Sequence, residues 1–438
     1  MTQRTRVTVA LVVVVLLTAS LGVQAATLDR GQRVVNDDGR YPGNTLVGVH
    51  SYDDTGRIVE LTPEGEVAWE WSVPDSRVFG VERLDEETVL AAVAERTPAA
   101  ECPEEYLEYE EHDDQCVHNR VVEIDTETGE VGWEYDWYDE HIANHEVHDF
   151  DRLEGGRTAI ADMGNDRAFV VDRDGEILWE WDAEEHMTPG TPFYEEYGGP
   201  EKEGLHDDWT HMNDIDRLEN GNFQLSIRNF DVVIEVDPET DEIVDVIGEP
   251  GDHSVLERQH NPHRLEEEGT AVVADSENGR IVELDLETEE RVWRYTGPSD
   301  DPLQWPRDAD RLPNGNTLVT DSRNNRLLEV DPDGEVVWQY DDPDGEVIPL
   351  AYEADRLGAD ESGAPAGDEL TTVDENPGDL ESTIRYWEAM AQYVLPTWMG
   401  PPQILHLVGI ALGVVWLGLE GAIYGWRRLR GGRASSSA

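Results

Sequence analysis

Residues 310–319 read DRLPNGNTLV, and the same pattern returns along the whole chain. Residues 216–223, for example, read DRLENGNF. The Asp-Arg-Leu opening or a variant of it also begins at Glu82, Asp151, His263 and Asp355. Each copy leads into an apolar strand, a second strand such as residues 326–331 (RLLEVD), an Asp-Gly turn and a strand that carries Trp. Four short strands in each unit of roughly 45 residues are typical of a β-propeller blade.

The number of blades follows from how the first and last units complement each other. The first unit begins at residue 44 without an inner strand, and the last unit, residues 351–357, is an inner strand alone. Joined, they make one blade from both chain ends. We therefore predict an all-β, six-bladed propeller over residues 41–357. Features that all blades share belong to the architecture, so a residue that departs from the pattern in one blade is a candidate for function.

The charge of the chain excludes one class of partner. The 438 residues include 98 acidic and 32 basic side chains, for a net charge of −66. Such a chain repels polyphosphates, so we expect no nucleic acid partner. Hydrophobic residues make up 38% and the acids are spread along the chain, which favours a folded protein over a disordered acidic tail. The composition predicts adaptation to strong salt, because a Debye length of roughly 3 Å at 1 M screens like charges.

Two apolar segments flank the repeats. Residues 1–26 are either a signal peptide, cleaved after export, or a retained signal anchor. Residues 403–426 are long enough to form a transmembrane helix, and the basic tail that follows, residues 427–438, is cytoplasmic by the positive-inside rule. The propeller is then expected on the extracellular face of the cell membrane. Composition predicts a flexible acidic linker over residues 358–382 and an amphipathic juxtamembrane helix over residues 384–398.

Three residues outside the repeat pattern carry further information. Glu420 lies inside the C-terminal apolar stretch, where its carboxylate could snorkel toward water or contact another membrane protein. Cys102 and Cys116 are the only cysteines, and a disulfide between them fits an exported protein. Such a bridge closes a loop of about 15 residues and contributes roughly 3 kcal/mol.

The histidines depart from the repeat in three neighbouring blades. Nine of the 13 histidines lie between residues 141 and 263. His148 and His260 each lie four residues before a signature arginine, and His211 lies six residues before one. Side chains alternate along a strand, so offsets of four and six share a face. Because the start of an inner strand lines the propeller channel, we expect these imidazoles, from the third, fourth and fifth blades, to converge there.

An arginine breaks the pattern in the fourth blade. The second strand of most units ends in aspartate, at Asp162, Asp275 and Asp321. Arg228 occupies the corresponding place or the place just beyond it. In so acidic a chain this substitution predicts a local anion site, and three imidazoles with a guanidinium suit a tetrahedral oxyanion.

Metal binding is the competing interpretation of the same residues. A histidine-ligated transition metal would fit the imidazoles, but a guanidinium beside a dication is unfavourable. The Asp-Gly turns could suggest calcium loops, yet they recur as hairpin turns and lack the twelve-residue loop with its closing glutamate. Surface or loop roles are favoured for four secondary candidates: His145, His206, His253 and His263.

Three segments around these residues resemble the motifs of the arylsulfotransferases. They are residues 208–214 (DWTHMND), 226–229 (SIRN) and 259–261 (QHN). The resemblance extends over about residues 44–357. It implies an exported six-bladed propeller that moves a sulfuryl group from a phenolic sulfate ester to a phenol without the nucleotide donor PAPS.

The resemblance also implies roles for individual residues. His260 would be the nucleophile and would form a sulfohistidine intermediate. The sulfuryl oxygens would be held by His148, His211 and Arg228. From the same motifs we expect Asn213, Trp209 and Asn229 to contact the substrate.

The predicted activity is therefore sulfuryl transfer between small phenolic compounds, with no cofactor. A neutral imidazole is available as a nucleophile near neutral pH, and a covalent intermediate divides one difficult transfer into two easier ones. The alternative hypothesis is a non-enzymatic cell-surface propeller that binds a glycan or a protein partner. A metal- or quinone-dependent oxidoreductase is the third hypothesis.

Overall fold

The computed structural model describes residues 3–27, 33–36, 39–51, 55–107, 115–140, 144–204, 207–298, 301–359, 395, 399 and 401–434. The chain divides into two compact units. One consists of Met1–Arg30 and Met390–Ala438, and the other is Gly31–Ala389. The predicted linker and juxtamembrane helix lie outside the described residues, except for residues 358, 359 and 395.

Four α-helices occur in the described residues: α1 (Gln3–Thr27), α2 (Ala183–Met187), α3 (Pro192–Tyr197) and α4 (Pro401–Ala434). Helices α1 and α4 form the first unit. Their segments Thr5–Gln24 and Gln403–Tyr424 are long and apolar enough to cross a membrane. Length and composition make both helices compatible with membrane anchoring, and a signal sequence has the same properties.

The second unit contains six antiparallel sheets, which form the predicted six-bladed β-propeller. Blade 1 consists of β25 (Ala351–Arg356), β2 (Thr45–Val49), β3 (Thr55–Leu61) and β4 (Val67–Pro74). Blade 2 consists of β5 (Ser76–Arg83), β6 (Thr88–Pro98), β7 (Gln115–Asp125) and β8 (Val131–Asp139). Blade 3 consists of β9 (Val147–Leu153), β10 (Arg157–Asp162), β11 (Arg167–Val171) and β12 (Ile177–Asp182).

The remaining blades follow the same order from the inner to the outer strand. Blade 4 consists of β13 (Met212–Arg217), β14 (Phe223–Ile227), β15 (Val232–Asp237) and β16 (Glu242–Ile247). Blade 5 consists of β17 (His260–Leu265), β18 (Thr270–Asp275), β19 (Arg280–Asp285) and β20 (Arg291–Tyr295). Blade 6 consists of β21 (Asp308–Arg311), β22 (Thr317–Asp321), β23 (Arg326–Val330) and β24 (Val336–Asp341).

Both chain ends close the ring, as the sequence predicted. The last strand, β25, pairs antiparallel with β2, with Thr45 opposite Arg356. The sequence analysis missed a further strand, β1 (Arg33–Asn36), which pairs with β24 and makes blade 6 five-stranded. Only four residues long, β1 lies outside the repeat and therefore has no counterpart in another blade that would have indicated it.

The recurring tryptophans connect each blade to the next. Four of them lie on outermost strands, and the indole N–H of each donates to the hairpin turn of the following blade. The pairs are Trp133 with Arg173 O (3.1 Å), Trp179 with Asp241 Oδ1 (2.9 Å), Trp293 with Pro332 O (3.3 Å) and Trp338 with Pro63 O (3.0 Å). The tryptophans are therefore part of the propeller architecture.

The signature arginines make a second set of connections between blades. Five of them pair with a glutamate on the third strand of the preceding blade: Arg83 with Glu60 (2.5 Å), Arg152 with Glu123 (2.8 Å), Arg264 with Glu235 (2.5 Å), Arg311 with Glu283 (2.7 Å) and Arg356 with Glu329 (3.0 Å). Blade 3 has Val170 at the glutamate position, and Arg217 of blade 4 instead lies over the ring of Phe223 at 4.6 Å.

The predicted disulfide is present in blade 2. Cys102 and Cys116 are bonded, with their Cα atoms 6.0 Å apart. The bond joins the start of β7 to the segment that follows β6. It therefore ties the two central strands of the blade together at the base of their connecting loop.

Candidate active site

The inner strands place equivalent residues at the same level of the propeller channel. The position four residues before the signature arginine varies between blades and is histidine in two of them: Phe79, His148, Asn213, His260, Arg307 and Tyr352. All six are buried. His148 and His260 therefore occupy matching places two blades apart.

Aromatic rings connect the three imidazoles that the sequence singled out. The Tyr352 ring centroid lies 5.7 Å from that of His148 and 6.0 Å from that of His260. The His148 ring in turn lies 5.0 Å from the His211 ring. The structure thus brings residues from blades 1, 3, 4 and 5 into one buried cluster, which we call the histidine cluster.

Two residues that the sequence analysis missed also belong to the histidine cluster. Arg307 Nη1 lies 3.1 Å from His50 Nδ1. The guanidinium carbon of Arg307 lies 4.9 Å from the centroid of the Tyr352 ring. The His50 ring packs against Phe79 at 4.9 Å. The cluster therefore contains a guanidinium and a fourth imidazole.

Arg228 lies just beyond the position at which other blades carry an aspartate. In three blades that aspartate pairs with an arginine five residues later: Asp162 with Arg167 (2.8 Å), Asp275 with Arg280 (2.5 Å) and Asp321 with Arg326 (2.5 Å). In blade 4 the aspartate position is Ile227, which faces Val232. Arg228 is the next residue and is buried, and after burial of the rings themselves its charge is the largest cause that lowers the pKa of His211 and of His260.

The His260 ring is oriented by a serine at the end of the second strand of its own blade. Ser276 Oγ lies 2.8 Å from His260 Nδ1 and 2.6 Å from the Pro306 carbonyl oxygen. Because that carbonyl can only accept, the serine hydroxyl donates to it and accepts from His260. His260 is therefore protonated on Nδ1, and its Nε2 carries the lone pair.

The His211 ring is oriented by a carboxylate. His211 Nδ1 donates to Asp208 Oδ1 at 2.7 Å, which leaves the lone pair on Nε2. The backbone of His211 is left-handed, with φ of 47°. The same place in the next three inner strands is also left-handed, at Arg258, Trp305 and Leu350. This conformation costs about 1–2 kcal/mol per residue and recurs, so it belongs to the way the chain enters the inner strands.

Burial keeps the imidazoles of the cluster neutral. Burial, followed by the charge of Arg228, lowers the pKa of His260 well below its ordinary value. Burial and the neighbouring His211 do the same for the pKa of His148. For His211, burial and then Arg228 outweigh the Asp208 hydrogen bond and lower the pKa to about 4. Near pH 7 the positive charge of the site is therefore carried by guanidinium groups.

The three residues expected to contact the substrate make hydrogen bonds or packing contacts within the protein itself. The Asn213 side chain donates to a backbone carbonyl of blade 5 at 2.9 Å. The Asn229 side chain donates to the Asp208 carbonyl at 2.6 Å and so ties that loop to the turn after β14. Trp209 packs against Phe230 in the hydrophobic core. Its indole N–H donates to a backbone carbonyl at 2.8 Å. These contacts position the loop that carries His211.

The secondary histidines lie apart from the histidine cluster in the described part of the chain. His145 is buried and pairs with an aspartate at 2.6 Å. The His253 side chain is 53% exposed. His263 pairs with Asp310 at 3.1 Å and lines the acidic part of the channel. His206 lies outside the described residues.

Carboxylates occupy the next two levels of the channel. The position three residues before the signature arginine holds Gly80, Asp149, Asp214, Asn261, Asp308 and Glu353. The position one residue before it holds Glu82, Asp151, Asp216, His263, Asp310 and Asp355. All of these except Gly80 line a cavity of about 470 Å³. We call these two levels the acidic layers.

The first acidic layer connects neighbouring inner strands. Asp149 accepts the backbone N–H of Ile215 at 2.9 Å, and Asp308 accepts that of Ala354 at 3.0 Å. The equivalent donor for Asp214 would be residue 262, a proline, which has no N–H. Burial raises the pKa of Asp149 to about 7 and that of Asp214 well above its ordinary value.

The aspartates of the Asp-Gly turns, which could suggest calcium loops, accept hydrogen bonds within their own turns. Asp172 and Asp331, in two of the Asp-Gly turns, each accept two backbone N–H groups of their own turn at 2.9–3.0 Å. Among the residues that the structure describes, no three His, Cys, Asp or Glu side chains are arranged to hold one metal ion.

Two protein families have sequence models that match parts of the chain. The family model described as Arylsulfotransferase (ASST) matches residues 148–259. This range contains His148, His211 and Arg228, and His260 is the first residue beyond it. A second model, described as outer membrane protein assembly factor BamB, matches residues 29–189 and 232–376. The sequence matches no curated protein.

Solved structures similar to the chain share little of its sequence. A protein of unknown function from Bacteroides caccae is 17% identical, with a TM-score of 0.49, and the match covers 72% of this chain and 98% of that one. A Lactobacillus plantarum protein is 15% identical, with a TM-score of 0.41, covering 72% and 86%. A virginiamycin B lyase from Staphylococcus aureus is 10% identical, with a TM-score of 0.40, covering 73% and 88%.

The arylsulfotransferase match agrees with the resemblance seen in the sequence motifs. The BamB model covers more than half of the chain, and the arylsulfotransferase model covers blades 3 and 4. The chain is thus a six-bladed β-propeller that belongs to the family described by the BamB model and carries an arylsulfotransferase domain.

Proposed function

We propose that the propeller transfers a sulfuryl group from an aryl sulfate to a phenolic acceptor without PAPS, through a sulfohistidine at His260. The observation that carries this proposal is the histidine cluster itself. It combines a neutral, oriented imidazole with two buried guanidinium groups, Arg228 and Arg307. The match of the arylsulfotransferase family model supports a sulfotransferase activity.

In the first step, His260 Nε2 attacks the sulfur of the aryl sulfate. An N–S bond forms, the bond from sulfur to the aryl oxygen breaks, and the electron pair leaves with the phenolate. The phenolate takes a proton from water. Arg228 and Arg307 stabilise the sulfuryl oxygens as charge shifts onto them. Ser276 accepts from Nδ1 and so stabilises the positive imidazole that forms.

In the second step, the phenolic acceptor attacks the same sulfur. An O–S bond forms, the N–S bond breaks, and its electron pair returns to His260 Nε2. The acceptor loses its proton, for which the lone pair on His211 Nε2 is the proposed base. The Asp208 carboxylate stabilises the protonated ring, as in other carboxylate–imidazole pairs. Asp208 remains ionised, since the His211 hydrogen bond and nearby positive charges outweigh burial and lower its pKa to about 2.

The test is a transfer assay on the detergent-extracted full chain in strong salt. An aryl sulfate and a panel of phenols are supplied, and the sulfated products are measured. We expect transfer by the wild type, none by His260→Ala, and wild-type activity for the matched variant His118→Ala in blade 2. Intact-mass analysis with donor alone should show one added sulfuryl group on the wild type only. Activity of His260→Ala equal to the wild type would refute the assigned nucleophile.

The place of the propeller in the cell is also part of the proposal. Basic residues at both chain ends favour cytoplasmic termini, with the propeller outside the cell membrane in a strongly saline medium. Residues 358–382 would act as the linker and 384–398 as the juxtamembrane helix. A protease added to intact cells should remove the propeller and leave the basic tail. Protection of the propeller under these conditions would contradict this orientation.

A binding function is the second candidate, since the BamB model covers most of the propeller. In that case the histidine cluster would serve as an anion pocket for a glycan or a protein partner. Saturable ligand binding by a wild-type chain that shows no transfer activity, with binding lost in the double variant His260→Ala and Arg228→Ala, would favour binding over catalysis.

A further inference from the structure

Each apolar segment carries a single residue of fixed charge, and the two residues contact each other. Arg6 is the charged residue of Thr5–Gln24, and Glu420 is that of Gln403–Tyr424. Arg6 Nε lies 3.4 Å from Glu420 Oε1, and the Glu420 side chain is 4% exposed. A charge within hydrocarbon is costly, and pairing is the usual way in which membrane helices retain one.

The other ends of the two segments are also joined by polar groups. Gln403 Nε2 donates to Gln24 Oε1 at 2.9 Å. Arg6 and Gln24 are 18 positions apart on α1, which at 1.5 Å per residue is about 27 Å, close to the hydrocarbon thickness of a bilayer. The two polar pairs are therefore spaced to lie at opposite faces of a membrane.

Between the polar pairs, glycines bring the helices close together. Gly409 and Gly413 of α4 form a Gly-x-x-x-Gly motif, which is typical of closely packed membrane helices. A Cβ placed on Gly413 would lie 2.4 Å from Val14 Cγ2, and one on Gly409 would lie 2.9 Å from Leu17 Cδ1. A larger residue at either glycine would force the helices apart.

The four contacts share one register. Arg6 meets Glu420, Val14 meets Gly413, Leu17 meets Gly409 and Gln24 meets Gln403. In every pair the two residue numbers add to 426 or 427, as expected for antiparallel helices that run past each other residue by residue. An antiparallel pair has both outer ends on one side, which agrees with the arginines near each terminus.

We infer that α1 remains part of the protein as a transmembrane helix and pairs with α4 through these contacts. Of the two fates that the sequence left open for the N-terminal segment, the pairing selects the retained anchor. It also gives Glu420 a partner within its own chain. The inference does not depend on the activity of the propeller.

Two measurements on the full-length chain in membranes test the inference. Intact mass and N-terminal sequencing should find residues 1–26 still attached. A chain that begins just after residue 26 would overturn the inference.

Disulfide crosslinking tests the register, since the two native cysteines are already bonded to each other. The pairs Val14→Cys with Gly413→Cys and Leu17→Cys with Gly409→Cys should crosslink within one chain. The control pair Leu16→Cys with Gly413→Cys should not, because Leu16 is 63% exposed. Equal crosslinking of all three pairs, or of none in correctly inserted protein, would overturn the pairing.

Glycine substitution tests whether the small glycine side of α4 is what allows the two helices to approach so closely. Adding Gly413→Leu to the Leu17→Cys and Gly409→Cys pair should reduce crosslinking severalfold. The matched change Gly418→Leu should leave it unchanged, because a Cβ at Gly418 has no atom within 4 Å. An equal effect of both leucines would refute the role of the Gly-x-x-x-Gly face.

Discussion

Ser276 Oγ lies 2.8 Å from His260 Nδ1 and determines which nitrogen of that imidazole carries the proton. We expect Ser276→Ala to lower kcat of sulfuryl transfer about 10- to 100-fold, by analogy with residues that orient metal-ligating histidines. The loss should fall on kcat with KM nearly unchanged. Ser276→Thr keeps the hydroxyl and should restore most of the activity. An unchanged kcat in Ser276→Ala would contradict the tautomer assignment.

Arg307 is expected to stabilise the transferring group together with Arg228. We expect Arg307→Gln to reduce kcat roughly 100- to 1,000-fold, as loss of one donor to a developing anion usually does. The same change should raise the pKa of His50, because burial and then Arg307 lower it in the wild type. NMR titration of the His50 ring reports that change directly. If neither the rate nor the titration moves, Arg307 has no part in the site.

The acidic layers should make stability depend on pH. Burial raises the pKa of Asp149 from 3.8 to about 7, so the folded state keeps a proton that the unfolded chain loses in this range. The free energy of unfolding should therefore fall as pH rises from about 4 to about 7. Urea unfolding of the full-length chain in detergent, at low salt, measures this slope.

Two asparagine variants identify the source of that slope. Asp149→Asn should reduce the slope, since one of the buried titrating groups is gone while Asp214 remains. Asp174→Asn removes an exposed acid of similar formal charge and should leave the slope unchanged. Equal flattening by both variants would assign the slope to general surface charge.

Trp338 connects blade 6 to the blade that closes the ring. Its side chain is fully buried and its indole N–H donates to Pro63 O at 3.0 Å. We expect Trp338→Ala to lower the free energy of unfolding by about 3–5 kcal/mol, the usual cost of removing a buried aromatic side chain. Trp416→Ala, at a 47% exposed residue of α4, should leave propeller unfolding unchanged. Chemical denaturation followed by near-UV circular dichroism would show both effects.

Repetition explains why so much of the fold could be predicted. Every blade needs the same contacts to its neighbours, so the arginine–glutamate pairs and the tryptophan bonds repeat in the sequence. The strand β1 could not be found in this way, because it adds to the outer edge of one blade alone. A motif shows which residues occur together and does not show which of them face the core, so the packing of Trp209 against Phe230 became visible only in the folded chain.

The sequence could predict those residues of the histidine cluster that lie at aligned positions of the repeat. The offset of four residues that selected His148 and His260 also marks Arg307, which a complete alignment of the inner strands would have found. His50 follows β2 and lies outside that alignment, so only the folded chain brings it to Arg307. The tautomer of His260 depends on a serine and a carbonyl from different strands, and no sequence pattern encodes that contact.

The pairing of β25 with β2 has a consequence for biogenesis. A chain that emerges at 5–20 residues per second needs roughly 15–60 s to extend from residue 49 to residue 351. Throughout that time the free edge of β2 has no partner, and exposed strand edges are prone to aggregation. A nearly finished ring therefore keeps one unpaired inner edge until its final strand arrives.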